Sequence, residues 1–126
     1  MPAKRTAPAS AVAPAVLTKA TLRAATRLGL SSKALAAVIG VSEATVSRMR
    51  GGDYTLQAGQ KAFELATLFV RLYRSLDAIV GGDESVAKAW LVNINSALGD
   101  TPINLIQSVS GLVNVVQYLD SRRARI

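Results

Sequence analysis

The chain contains no cysteine and no histidine. Without thiols there can be no disulfide, no Cys-type zinc site and no thiol nucleophile. Without imidazole the commonest metal ligand and general base are missing too. Charged residues make up 18% of the sequence, against about 25% in an average soluble domain. The eight carboxylates are scattered, and only Asp83 and Glu84 are adjacent. That pair sits where a helix is expected to start, a place where acids commonly act as capping charges. Gly51 and Gly52, like Gly81 and Gly82, lack the lysine and the strand context of a phosphate loop. No enzyme, no cofactor and no metal are therefore expected.

Long hydrophobic runs are also missing. The longest uncharged stretch, residues 101–119, carries Asn104, Gln107, Ser108, Ser110, Asn114 and Gln117, too polar for a membrane-spanning helix. The segment after Lys4 and Arg5 is broken by Pro8 and Pro14 and has no solid apolar region of the kind an export signal needs. A cytoplasmic protein is expected.

What is present is a 126-residue chain, half of it hydrophobic, long enough to bury roughly two-thirds of its unfolded surface. Its formal charge of +7 is unevenly placed. Residues 1–61 hold nine Lys/Arg against Glu43 and Asp53, whereas residues 62–126 hold six of each sign. A basic half beside a neutral one points to a polyanionic partner such as nucleic acid.

Three of the four prolines lie within the first 14 residues, which predicts an extended tail over residues 1–16. Beyond it, apolar residues recur at helical spacing with no sustained alternation, so the fold class is all-α. The first helix is expected over residues 18–28, with Leu22, Ala25 and Leu28 inward. Ser31 or Ser32 caps a second helix ending at Gly40. Ser42 caps a third over residues 43–50. After a loop, a long helix covers residues 60–80. Ala87, Trp90, Leu91, Ile94, Ala97 and Leu98 then predict one apolar helix face that runs to Gly99, with Trp90 in the core. Thr101 and Pro102 start a short helix reaching about residue 108. A last helix presents Leu112, Val115, Val116 and Leu119 and ends in basic residues.

Residues 32–51, SKALAAVIGVSEATVSRMRG, carry a spacing with a physical logic. Two helices crossing near a right angle need a small residue at the crossing, here Ala36. The turn between them needs positive φ, here Gly40. Leu35, Ile39, Val41, Val46 and Met49 form the shared core. Short polar groups and arginines remain outside on the second helix, as required for reading base edges in a major groove. The segment resembles the helix–turn–helix of the Xre family of bacterial and phage regulators, with Met49 replacing the more usual branched aliphatic. The candidate base-reading residues are Thr45, Ser47 and Arg48. Lys33, Ser42 and Arg50 are candidate phosphate contacts.

The helix over residues 60–80 is apolar around most of its circumference, from Phe63 through Leu68 and Tyr73 to Val80. So wide a surface predicts that it joins the two halves and packs against a second subunit. From Ala87 onward, Trp90 and Leu91, the run from Asn95 to Ile106, and Gly111 with Leu112, Val115, Val116 and Leu119 resemble the toxin-binding domain of Xre/MbcA/ParS-type antitoxins. Ser96, where a proline is commoner, and a turn one residue shorter are departures from the usual form.

The two resemblances in this order imply an antitoxin of the RES–Xre kind. They imply a DNA-binding domain over residues 17–58 and a dimerisation and toxin-binding domain over residues 59–126. The implied partners are a RES-domain toxin that consumes NAD or uses it for ADP-ribosylation, operator DNA of its own promoter, and a second copy of the chain in a homodimer. The C-terminal segment lies near the toxin's active site in that family, which makes Gln117, Tyr118, Arg122, Arg123, Arg125 and Ile126 the candidate toxin contacts. The alternative is a stand-alone Xre-type regulator whose second half only dimerises or senses a ligand.

Overall fold

A computed structural model describes residues 13–124, and seven helices with one isolated antiparallel bridge, Asn95 to Asp100, account for their regular structure. The order is α1 Pro14–Leu28, α2 Ser32–Ile39, α3 Glu43–Arg50, α4 Lys61–Ile79, α5 Glu84–Val92, α6 Pro102–Leu105 and α7 Val109–Arg123. All-α is what the spacing predicted.

Each start has a local cause. Pro14 stands at the first position of α1, where its missing N–H costs nothing and its fixed φ suits a helix. The helix therefore begins four residues before the expected Thr18 and takes in residues 14–16 of the expected extended tail, of which residues 1–12 lie outside the described residues. Ser31, not Ser32, caps α2 by accepting from the Ala34 N–H, and Ser42 caps α3 by accepting from Thr45. Asp83 caps α5, accepting from the N–H groups of Ser85 and Val86 and from the Ser85 hydroxyl. These bonds hold its carboxyl below the usual range, the Ser85 hydroxyl contributing most. Between α2 and α3 the chain reverses at Gly40, φ +75°, where the Val41 N–H bonds back to the Ala36 carbonyl at 3.0 Å.

The long helix α4 lies at the centre and is packed by α1, α2, α5 and α7. Ala66, Phe69, Leu72 and Leu76 are fully buried along it, and Phe63, Leu68, Tyr73, Ile79 and Val80 are half-buried against the same core. Helices of this chain thus cover the apolar circumference from several sides. Phe63, Leu68, Tyr73, Ile79 and Val80 keep part of their surface open. The loop over residues 51–60 is pinned from within: Leu56 is fully buried, and its N–H donates to Thr18 Oγ1 of α1 at 3.0 Å.

The expected helix over residues 87–98 ends early, at Val92. The Asn95 side chain accepts from the N–H groups of Ala97 and Leu98 at 2.9 and 3.1 Å, a turn that competes with the helix for the same donors. Ile94, assigned inward by the spacing, is 78% exposed as a result. The short α6 stops at Leu105, and Ser108 caps α7, so α7 starts before Gly111. That glycine permits a close approach: a Cβ there would lie 1.9 Å from the Leu105 carbonyl oxygen.

Candidate functional site

The helix–turn–helix packs as its spacing requires. Leu35, Ala36, Ile39, Val46 and Met49 are buried, with Val41 half-buried. The opposite side of α3 is open, and there Glu43, Ala44, Ser47, Arg48 and Arg50 are exposed while Thr45 is half-buried. Three of the six candidate DNA contacts form one chain of hydrogen bonds. The hydroxyls of Ser42 and Thr45 lie 3.0 Å apart, and Arg48 Nη2 donates to Thr45 Oγ1 at 3.0 Å. The Arg48 guanidinium also lies 5.9 Å from the centre of the Tyr54 ring. It is thereby steered from two sides while still open to solvent, so less freedom remains to be lost on binding.

Arg50 reaches away from this group, donating from Nε to Ser32 Oγ at 3.1 Å across to the start of α2. Lys33, the next residue of that helix, is exposed. Ser47 is exposed and stands apart from both groups. Ser32, named from the sequence only as a possible helix cap, and Tyr54 were not expected at this surface. For Tyr54 a signal was available, since it is the one aromatic residue among the basic residues 1–61.

The second candidate region lies at the far end of α7. Tyr118 is half-buried and stacks on Trp90 of α5, with centroids 6.4 Å apart and planes 18° from parallel. Trp90, expected in the core, is therefore only half-buried. The Arg122 guanidinium lies 5.4 Å from the Tyr118 ring centre, extending the stack toward solvent. Beside it runs a cleft of about 470 Å³ lined by Leu98, Leu105, Asn114, Gln117, Tyr118 and Ser121. Gln117 and Tyr118 thus share one concave surface.

Arg123 faces elsewhere, with Nη1 3.5 Å from Ser75 Oγ of α4. Asp120 holds this corner. It accepts from the Ser75 hydroxyl and pairs with Arg71. Arg125 and Ile126 lie outside the described residues. Among the described residues no helix is long and apolar enough to cross a membrane.

An arginine-bearing face on α3 and a cleft beside Tyr118 thus occur on one chain. The family model "Antitoxin Xre-like helix-turn-helix domain" matches residues 7–71, just over half of the 126-residue chain. The chain belongs to this antitoxin family. A second model, "Antitoxin Xre/MbcA/ParS C-terminal toxin-binding domain", matches residues 75–125. The antitoxin thus joins a helix–turn–helix, made for DNA, to a domain made for a toxin, and the join falls inside α4. A comparison with curated proteins found no match.

Proposed function

We propose that this antitoxin neutralises a RES-domain, NAD-consuming toxin in the bacterial cytoplasm and represses its own operon as a homodimer within a larger toxin–antitoxin complex. The observation that carries the reading is the separation of two unlike surfaces. Arg48, held by Thr45 and Tyr54, heads a basic face on α3. Arg122 lies on the ring of Tyr118, and that tyrosine lines a cleft at the end of α7. The DNA contacts lie within residues 17–58 and the toxin contacts within residues 59–126.

On DNA, Thr45, Ser47 and Arg48 read base edges, Arg48 with the bidentate geometry that suits a guanine. Lys33, Ser42 and Arg50 hold phosphates and set the register. On the toxin, Gln117 and Tyr118 supply the contact surface, while Arg122, Arg125 and Ile126 close the NAD cleft; Arg123 joins them by leaving Ser75. Guanidinium groups pair in forks with the carboxylates such a cleft offers. A plug of this kind needs no catalytic group of its own.

The deciding experiment measures cellular NAD in bacteria that express the reading frame adjacent to this gene, with and without the antitoxin. NAD should collapse when that frame is expressed alone and recover on co-expression. If neither NAD nor growth responds, the NAD-consuming partner is refuted. A toxin of another class, or a stand-alone regulator, then takes its place.

A further inference from the structure

Three arginines border one cleft between α1 and α4. Arg23 and Arg27 come from α1 and Arg74 from α4, with Val70 and Tyr73 in the wall of a space of about 280 Å³. All three arginines are exposed. Among the described residues the ion pairs are Arg71 with Asp120 and Lys88 with Glu84, and none involves this group. No acid occurs anywhere in α1.

Lys19, Arg23 and Arg27 stand four residues apart, which stacks three like charges about 6 Å apart along one side of the helix. Like charges at this spacing weaken a helix, and only Arg27, in the last turn of α1, offsets part of that through the helix dipole. The stripe begins beside the recognition surface: Lys19 lines another cleft together with Arg50 and Tyr54. From Lys19 it climbs to Arg27 in the last turn of α1, just before the chain turns into α2.

We propose that the Arg23, Arg27 and Arg74 cleft is a phosphodiester-binding site that grips the DNA backbone beyond the bases met by α3. It rests on the DNA-binding reading above and adds a second foothold to it. A guanidinium fork matches two phosphate oxygens. A duplex offers a continuous row of such anions, and the charge stripe connects this cleft to the surface where the reading head lies. Each contact adds affinity without adding sequence preference.

The test uses the full chain and a duplex of random sequence, with binding measured over a series of KCl concentrations. Each phosphate contact contributes a slope of about 0.9 in log K against log salt. The Arg23→Gln/Arg27→Gln/Arg74→Gln variant should therefore lose about 2–3 units of slope, with a melting temperature no lower than that of the parent chain. The matching triple Arg→Lys variant keeps the charge and should keep most of the slope. A slope unchanged by the glutamines overturns the site. So does a variant that loses toxin binding instead, because the cleft then serves an acidic protein surface. A wild-type chain that bound duplex without salt dependence would overturn the DNA reading itself, a result distinct from either.

Discussion

Ser75 Oγ, fully buried on α4, donates to Asp120 Oδ1 on α7 at 2.8 Å. The two residues are 45 positions apart, and their contact ties the last turns of α7 to the central helix. Arg71 pairs with the same carboxylate from a largely exposed position. The two partners are not equal in energy. An exposed ion pair contributes about 0–1 kcal/mol, whereas a buried hydroxyl left without its partner costs about 1–3 kcal/mol. Asp120→Ala should therefore lower the free energy of urea unfolding by about 1–3 kcal/mol, and Arg71→Ala by less than about 1 kcal/mol. Equal losses for the two variants would mean that the ion pair, not the hydroxyl, holds the corner.

Arg48 gives a prediction about recognition. Thr45 Oγ1 and the Tyr54 ring steer its guanidinium before any DNA arrives. Arg48→Ala should weaken operator binding by about 1–3 kcal/mol, the cost of a bidentate base contact, and relax the choice of base at one position. Arg50→Ala should weaken operator and unrelated DNA alike, as the loss of a phosphate contact does. Competition assays with single-base operator variants separate the two. An Arg48→Ala protein with unaltered base preference would remove that residue from the reading face.

How much of this could be read from the sequence follows from how local each cause is. The helix–turn–helix was legible because Ala36, Gly40, Ser42 and their apolar neighbours act within twenty residues of one another. The end of α5 was misjudged because apolar spacing continues through Ile94, Ala97 and Leu98, while the Asn95 carboxamide takes the N–H groups that a helix would use. Periodicity is blind to that competition. The surface around Arg48 was named in part: Thr45 lies three residues away, but Tyr54 enters from the following loop. Leu56 bonding to Thr18, and Ser75 bonding to Asp120, join residues 38 and 45 positions apart. No local pattern encodes such pairs.

Gly111 tests the packing of the toxin-binding half. A methyl group at this position would come within 1.9 Å of the Leu105 carbonyl oxygen and 2.7 Å of its carbon. Both are backbone atoms, so no rotamer change can make room. Gly111→Ala should destabilise the chain by about 3 kcal/mol, at the upper end of overpacking costs, despite alanine's better helix propensity. Thermal unfolding followed by circular dichroism measures the loss. A stabilised variant would show that α6 and α7 are not held this closely.

The C-terminal arginines can be separated from the corner that positions them by two truncations one residue apart. A chain ending at Asp120 keeps the carboxylate that Ser75 and Arg71 bind but loses Arg122, Arg123, Arg125 and Ile126. A chain ending at Leu119 loses the carboxylate as well and leaves the buried Ser75 hydroxyl without that partner. The first should unfold nearly as the full chain does, bind operator DNA with unchanged affinity and fail to inhibit the toxin. The second should fail equally against the toxin and be less stable by about 1–3 kcal/mol. This pair distinguishes a lost contact from a lost fold, which the shorter truncation alone would confuse. Full inhibition by the chain ending at Asp120 would move the toxin contact off the tail and onto the cleft lined by Gln117 and Tyr118.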